Sequence, residues 1–140
     1  MTQQFNVTES EIKVIKSDLK RAKKYLAFLE EEKKKGKNSA ASVREALSLA
    51  FAVAYSRPFT QCRRVGRTKR TPWIPNGLIG DLPTRFRELH ENLIQQRDEV
   101  WAHTDEQAYD STYPFIVLKR GLIPVYDQLI EQIANRLRAI

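Results

Sequence analysis

Arg97 and His103, six positions apart, are the pair of side chains in this sequence best suited to chemistry. A guanidinium stays charged at any physiological pH and presents a fork of donors that can hold a phosphate bidentately. An imidazole is the side chain that exchanges a proton near neutrality, so His103 can supply a general acid or a general base. Glu99 lies four residues before His103, within reach on a helix, where its carboxylate favours the charged imidazole. The competing reading is structural: Arg97, Asp98, Glu99 and His103 form a buried salt-bridge cluster or a helix C-cap.

A second group lies upstream. Residues 57–70 hold six basic side chains and no acidic one, whereas residues 71–140 hold seven basic against ten acidic, within a total net charge of +7. Arg63, Arg64, Arg67, Lys69 and Arg70, with Trp73 and Phe59 nearby, have the composition of a surface that contacts phosphates and stacks a base. The alternative is a surface loop whose Trp73 and Ile74 plug back onto the protein. Residues 1–38 add ten basic and six acidic groups, and their lysine-rich face either attracts a polyanion or is simply solvated.

Other reactive types point elsewhere. His90 lies two turns before Arg97 and reads as a satisfied core residue, and Arg57 of Arg57-Pro58-Phe59 reads as a pin for the following loop. Cys62 has no histidine at a fixed short spacing. No metal-ligand spacing and no glycine-rich phosphate loop occurs, so neither a metal nor a cofactor is expected.

The elements that must position these groups are helical. Phe86, Leu89, Leu93, Ile94, Val100 and Trp101 recur at three, four and seven, and Arg97 falls on that stripe. This spacing predicts a helix from Asp81, with Pro83 in its first turn, to about Ala102. Upstream, Thr8 with Glu11 forms a capping box for a helix striped by Ile12, Ile15, Leu19, Ala22, Leu26 and Leu29, which stops at Gly36. Ser42 with Glu45 repeats the signal for a second helix, apolar almost all round and therefore expected to be the most buried, which Pro58 ends. Residues 57–82 lose periodicity and read as a long basic loop. Residues 105–114 form a second loop, Phe115–Leu118 is a strand or a buried helical turn, and Pro124 starts a final helix. The expected fold is all-α: an up-down bundle of four to five helices with the basic loop between the second and third.

A length of 140 residues suits one domain, 1–140, able to bury a core without metal or disulfide support. A single cysteine, no hydrophobic signal segment and no apolar run of bilayer length lead us to expect a protein of the reducing cytoplasm that does not enter a membrane.

The run Arg97-Asp98-Glu99-Val100-Trp101-Ala102-His103 resembles the signature of the HEPN superfamily, an arginine and a polar residue followed, after four to six positions, by a histidine. Ala102-His103-Thr104-Asp105, Leu89-His90 and Ser56-Arg57-Pro58-Phe59 are similar to a bacterial abortive-infection, AbiU-like branch. The resemblance spans roughly Leu47 to the C-terminus. It implies a helical homodimer that cleaves RNA without a metal, as a toxin or in phage defence, leaving a 2′,3′-cyclic phosphate and a 5′-hydroxyl. In that scheme His103 moves protons, Arg97 holds the phosphate and Asp98 orients Arg97. The same fold also occurs as a non-catalytic module that binds RNA or a partner protein, and an antitoxin is a further implied partner. Six helical residues leave two side chains about 120° apart, so Arg97 and His103 share a site only if the helix ends early, bends or works across a dimer.

Overall fold

The computed structural model describes residues 5–60, 62–63, 70–71, 73–106, 118 and 120–139, and over 5–6, 62–63, 70–71, 76, 100–106, 120 and 138–139 the course of the backbone alone. In chain order it contains β1 (Phe5–Val7), α1 (Glu9–Lys34), α2 (Ala41–Ser56), β2 (Cys62–Arg63), β3 (Arg70–Thr71), α3 (Asn76–Gly80), α4 (Thr84–Glu106), α5 (Ile123–Arg136) and β4 (Leu137–Ala139). Short 3₁₀ turns cover Gly36–Asn38, Arg57–Phe59 and Arg120–Leu122. The class is all-α, with two minimal ladders attached.

Helix α1 begins where its cap places it: the Thr8 hydroxyl accepts the Glu11 N–H at 3.2 Å. Glu9 and Glu11 in the first turn and Lys33 and Lys34 in the last complement the helix dipole. Ile12, Ile15, Leu19, Ala22, Leu26 and Leu29 are buried, and the chain reverses at Gly36, whose φ of 58° is the left-handed conformation glycine adopts cheaply. The turn into α2 is held from the side. Ser39 donates to the Glu32 carboxylate at 2.9 Å, and Arg44 Nη1 donates to the Ser39 hydroxyl and carbonyl at 2.8 and 3.0 Å.

Two expectations for α2 need correction. Its N-cap is Ala40, with no side-chain cap, so Ser42 and Glu45 sit inside the first turns instead of forming a capping box. Nor is it the most buried helix, because Val43 and Leu49 are 42% and 43% exposed. Only one face and the C-terminal half are covered, through Phe51, Ala52, Ala54 and Tyr55. An apolar residue on a helix that touches neighbours on one side keeps its outer face in water whatever its type. Regular helix does stop at Ser56, before Pro58.

Helix α1 packs on α2 and α5, while α4 packs on both α2 and α5. Between them Phe51, Tyr55, Leu93, Tyr126, Leu129, Ile130 and Ile133 form the centre, with Phe51 and Tyr126 meeting edge to face at 5.7 Å. Burying each such side chain contributes roughly 1.5–3 kcal/mol, which is what fixes the helix faces. Across the surface Lys23 of α1 pairs with Asp127 and Glu131 of α5.

The segment 57–82 holds more structure than a bare loop. It contains a 3₁₀ turn, the antiparallel β2–β3 pair with Arg63 opposite Arg70, and α3, while Ile74, Leu78, Ile79 and Leu82 enter the core. Asp81 does not cap the helix that carries Arg97. It closes α3, and its carboxylate accepts Arg136 Nε at 3.2 Å, while α4 begins at Thr84 with the Phe86 and Arg87 amides on the Pro83 carbonyl. Pro124 sits in the first turn of α5 as expected. A further pairing was not expected: β1 lies parallel to β4, Phe5 beside Leu137 and Val7 beside Ala139. Of the second loop, residues 107–114 lie outside the described residues, and so do 115–117 of the apolar run, of which Leu118 is described and buried.

Candidate functional site

Helix α4 carries His90, Leu93 and Arg97 inward on one stripe, because three- and four-residue steps return to the same face. Both polar members are buried, each 8% exposed. His90 is held by α2 and the turn after it. Its Nδ1 lies 2.6 Å from the Tyr55 hydroxyl, and the Phe59 ring meets it edge to face at 4.5 Å. Burial, reinforced by the nearby Arg97 charge, lowers the imidazole to about 4. Burial also raises the Tyr55 phenol well above its ordinary value. The bond therefore joins a neutral ring to a protonated phenol at neutral pH. His90 is a satisfied core histidine.

Arg97 is fixed more tightly. Nε and Nη2 both donate to Asp98 Oδ1, at 2.9 and 2.6 Å, and Nη1 donates to Thr60 Oγ1 at 2.9 Å. The Thr60 hydroxyl in turn donates to the Ser56 carbonyl at 3.0 Å. The Ser56 carbonyl at the end of α2 is thus linked through Thr60 to a buried cation on α4. Asp98 is largely exposed, so the charge pair opens to solvent on one side.

The same turn is tied down on its other side. Arg57 Nη1 lies 3.6 Å from Asp18 Oδ1 of α1, and the Ile74 amide donates to the Pro58 carbonyl at 2.9 Å. Asp18 is buried, and burial raises its carboxyl against the opposing pull of Arg57 and Arg21. Arg57 thus pins the turn, as its place in the sequence suggests. Residues Arg57 to Thr60 bind three helices at once: Arg57 holds α1, Thr60 caps α2, and Phe59 and Thr60 hold α4.

The basic ladder starts from this anchor. β2 begins two residues after Thr60, and Arg63 and Arg70 stand at paired positions on it. Arg64, Arg67 and Lys69 lie outside the described residues, and of Arg63 and Arg70 the backbone is described. Trp73 is half-buried against the core, beside the fully buried Ile74.

His103 lies on the backbone of α4, and its side chain lies outside the described residues. The helix neither ends before it nor stops at Ala102, but continues to Glu106. Regular helix from Arg97 to His103 covers about 9 Å of rise and leaves the two positions about 120° apart. The Glu99 carboxylate accepts Gln95 Nε2 at 3.2 Å. His90, Glu91, Ile94, Gln95, Asp98 and Glu99 line a shallow groove of about 520 Å³. A second, of about 570 Å³, lies between α4 and α5 and is lined by Arg85, Asn92, Gln96 and Tyr126 among others. Among the described residues no three His, Cys, Asp or Glu side chains gather to hold a metal ion.

Sequence reasoning missed Tyr55, Thr60 and Asp18. Asp18 left a signal, a carboxylate beside Leu19 on the buried stripe of α1. Tyr55 and Thr60 left none, because what they hold is distant in sequence. Comparison with protein-family models, with curated proteins and with solved structures finds no match.

Proposed function

We propose that this chain is a HEPN-like, metal-independent endoribonuclease of the toxin or phage-defence type, acting as a homodimer. The observation that carries this reading is Arg97, a buried cation held by Asp98 and Thr60 at the root of the basic β2–β3 segment. Fixing an arginine fork in advance removes the entropy that phosphate binding would otherwise cost. His103 follows on the same helix as the group able to move a proton between the 2′-hydroxyl, the leaving 5′-oxygen and solvent.

Because α4 is continuous through both positions, the 120° between them argues that Arg97 of one copy works with His103 of the other. The test is RNA cleavage by wild type, Arg97→Ala and His103→Ala in the presence of EDTA, with the product ends analysed. Cyclic-phosphate ends from wild type, and a loss of about 10²-fold or more in each variant, are expected. Equal activity in all three rejects the proposal.

One observation favours a second reading. Nε, Nη1 and Nη2 of Arg97 already donate within the chain, as in an arginine whose work is structural. A non-catalytic module that binds RNA or a partner protein, such as an antitoxin, then retains RNA binding without cleavage.

A further inference from the structure

Helix α1 distributes its cations unevenly. Lys23, Lys34 and Lys35 are paired with Glu131, Glu31 and Glu32 respectively. Lys13, Lys16, Lys20 and Lys24 are exposed, and none has a carboxylate partner among the described residues. They follow one another at three and four residues, so they stand in one row, on the side of α1 opposite the buried Ile15, Leu19, Ala22 and Leu26.

Lys16, Lys20 and Lys24 are successive i,i+4 neighbours of like charge, an arrangement that weakens an isolated helix. The row persists because the opposite face is locked into the bundle. It holds a line of positive charge that no carboxylate among the described residues neutralises.

Two features of the row identify what neutralises it. The first is spacing: the row places a cation at about every turn of helix, or roughly 6 Å, a line of charge that the regularly spaced phosphates of a strand can follow. The second is Phe28, which is 44% exposed and lies one turn beyond Lys24, with the Lys24 ammonium 6.0 Å from its ring centroid. A cationic track ending on an exposed aromatic ring is the combination that binds single strands, where phosphates meet the cations and an unstacked base lies on the ring. A membrane surface fits less well, because the apolar stripe of α1 that would have to insert is already buried in the bundle.

Arg21 lies one residue beyond Lys20 and, with Arg57, acts electrostatically on Asp18. Arg57 begins the turn whose Thr60 holds Arg97. Arg21 and Arg57 thus meet at Asp18, on the buried side of α1 and away from the lysine row.

We propose that the outer face of α1, from Lys13 to Phe28, binds single-stranded RNA. The proposal shares its polyanion with the nuclease reading but none of its catalytic residues, so each can fail alone. The test uses a fluorescein-labelled 2′-O-methyl oligouridylate, which has no 2′-hydroxyl to attack and cannot be cleaved, with binding followed by anisotropy across a salt series. Lys16→Gln/Lys20→Gln/Lys24→Gln removes three charges from the track, and Lys33→Gln/Lys34→Gln/Lys37→Gln removes three from the end of the helix and the turn after it.

The first variant is expected to flatten the salt dependence by about 2, at roughly 0.7 per lost phosphate contact for single strands, and the second to leave it unchanged. Phe28→Ala is expected to weaken binding about tenfold. Circular dichroism of all three is expected to match wild type, since the substituted side chains are exposed. Equal salt slopes in the two triple variants overturn the proposal, as does tighter binding to phosphatidylserine vesicles than to the oligonucleotide.

Discussion

A neutral imidazole sealed beside a guanidinium has a cost that acid should reveal. Unfolding frees His90 to bind a proton near 6.5, whereas the folded ring takes one only at about 4. Between those values the unfolded state binds more protons, so stability is intact above about 6.5 and falls as the pH drops towards 4, by roughly 3 kcal/mol in all. An NMR titration should place the His90 midpoint near 4, and a midpoint near 6.5 would refute the burial argument. Tyr55→Phe leaves Nδ1 buried without its partner and should cost about 1–3 kcal/mol in urea unfolding. Asp18 has the opposite sign. Its carboxyl is raised because burial outweighs Arg57 and Arg21, so the ionised form is under strain at neutral pH. Asp18→Asn should therefore hold or raise the urea midpoint at pH 7, and a marked drop would show that the Arg57 pairing dominates instead.

At the scale of elements, the Arg57–Thr60 turn does more than end a helix. It joins α1, α2 and α4 through Asp18, the Ser56 carbonyl, His90 and Arg97. Thr60→Val removes both the acceptor for Arg97 and the donor to Ser56. It should cost about 1–3 kcal/mol and speed hydrogen exchange at the Ile74 amide, which rests on Pro58 in the same turn. No change at Ile74 would mean the turn is held by Phe59 packing alone. The faces of α1 and α5 were legible in sequence because period and caps agree there: Thr8 with Glu11, Gly36, and Pro124 followed by Tyr126, Leu129, Ile130 and Ile133. The face of α2 was not, because an all-round apolar helix carries no phase. Asp81 looked like a cap by type and position, yet Arg136, 55 residues on, takes its carboxylate. The ladders left no pattern, since two or three residues cannot show alternation, and β1 meets β4 only because the bundle brings both ends together. Of the candidate site, Arg97 was legible as a charge on an apolar stripe, whereas Thr60, which fixes it, depends on a tertiary contact.

For the whole molecule the decisive quantity is how many chains make one site. Among the described residues no helix is long and apolar enough to cross a membrane. If Arg97 and His103 act from different copies, each dimer holds two composite sites, and a heterodimer of Arg97→Ala with His103→Ala holds one site with both groups intact and one with neither. Unfolding and refolding the two inactive variants together in equal amounts makes half the dimers heterodimers, each with one working site of two, so the mixture should recover about a quarter of wild-type cleavage. A mixture as inactive as its parents, with dimers confirmed by sedimentation, would show that the two groups do not complement one another across the interface. The unbroken course of α4 through both positions makes recovery the expected result, since 120° of rotation leaves one chain poorly placed to bring both side chains to a single phosphate.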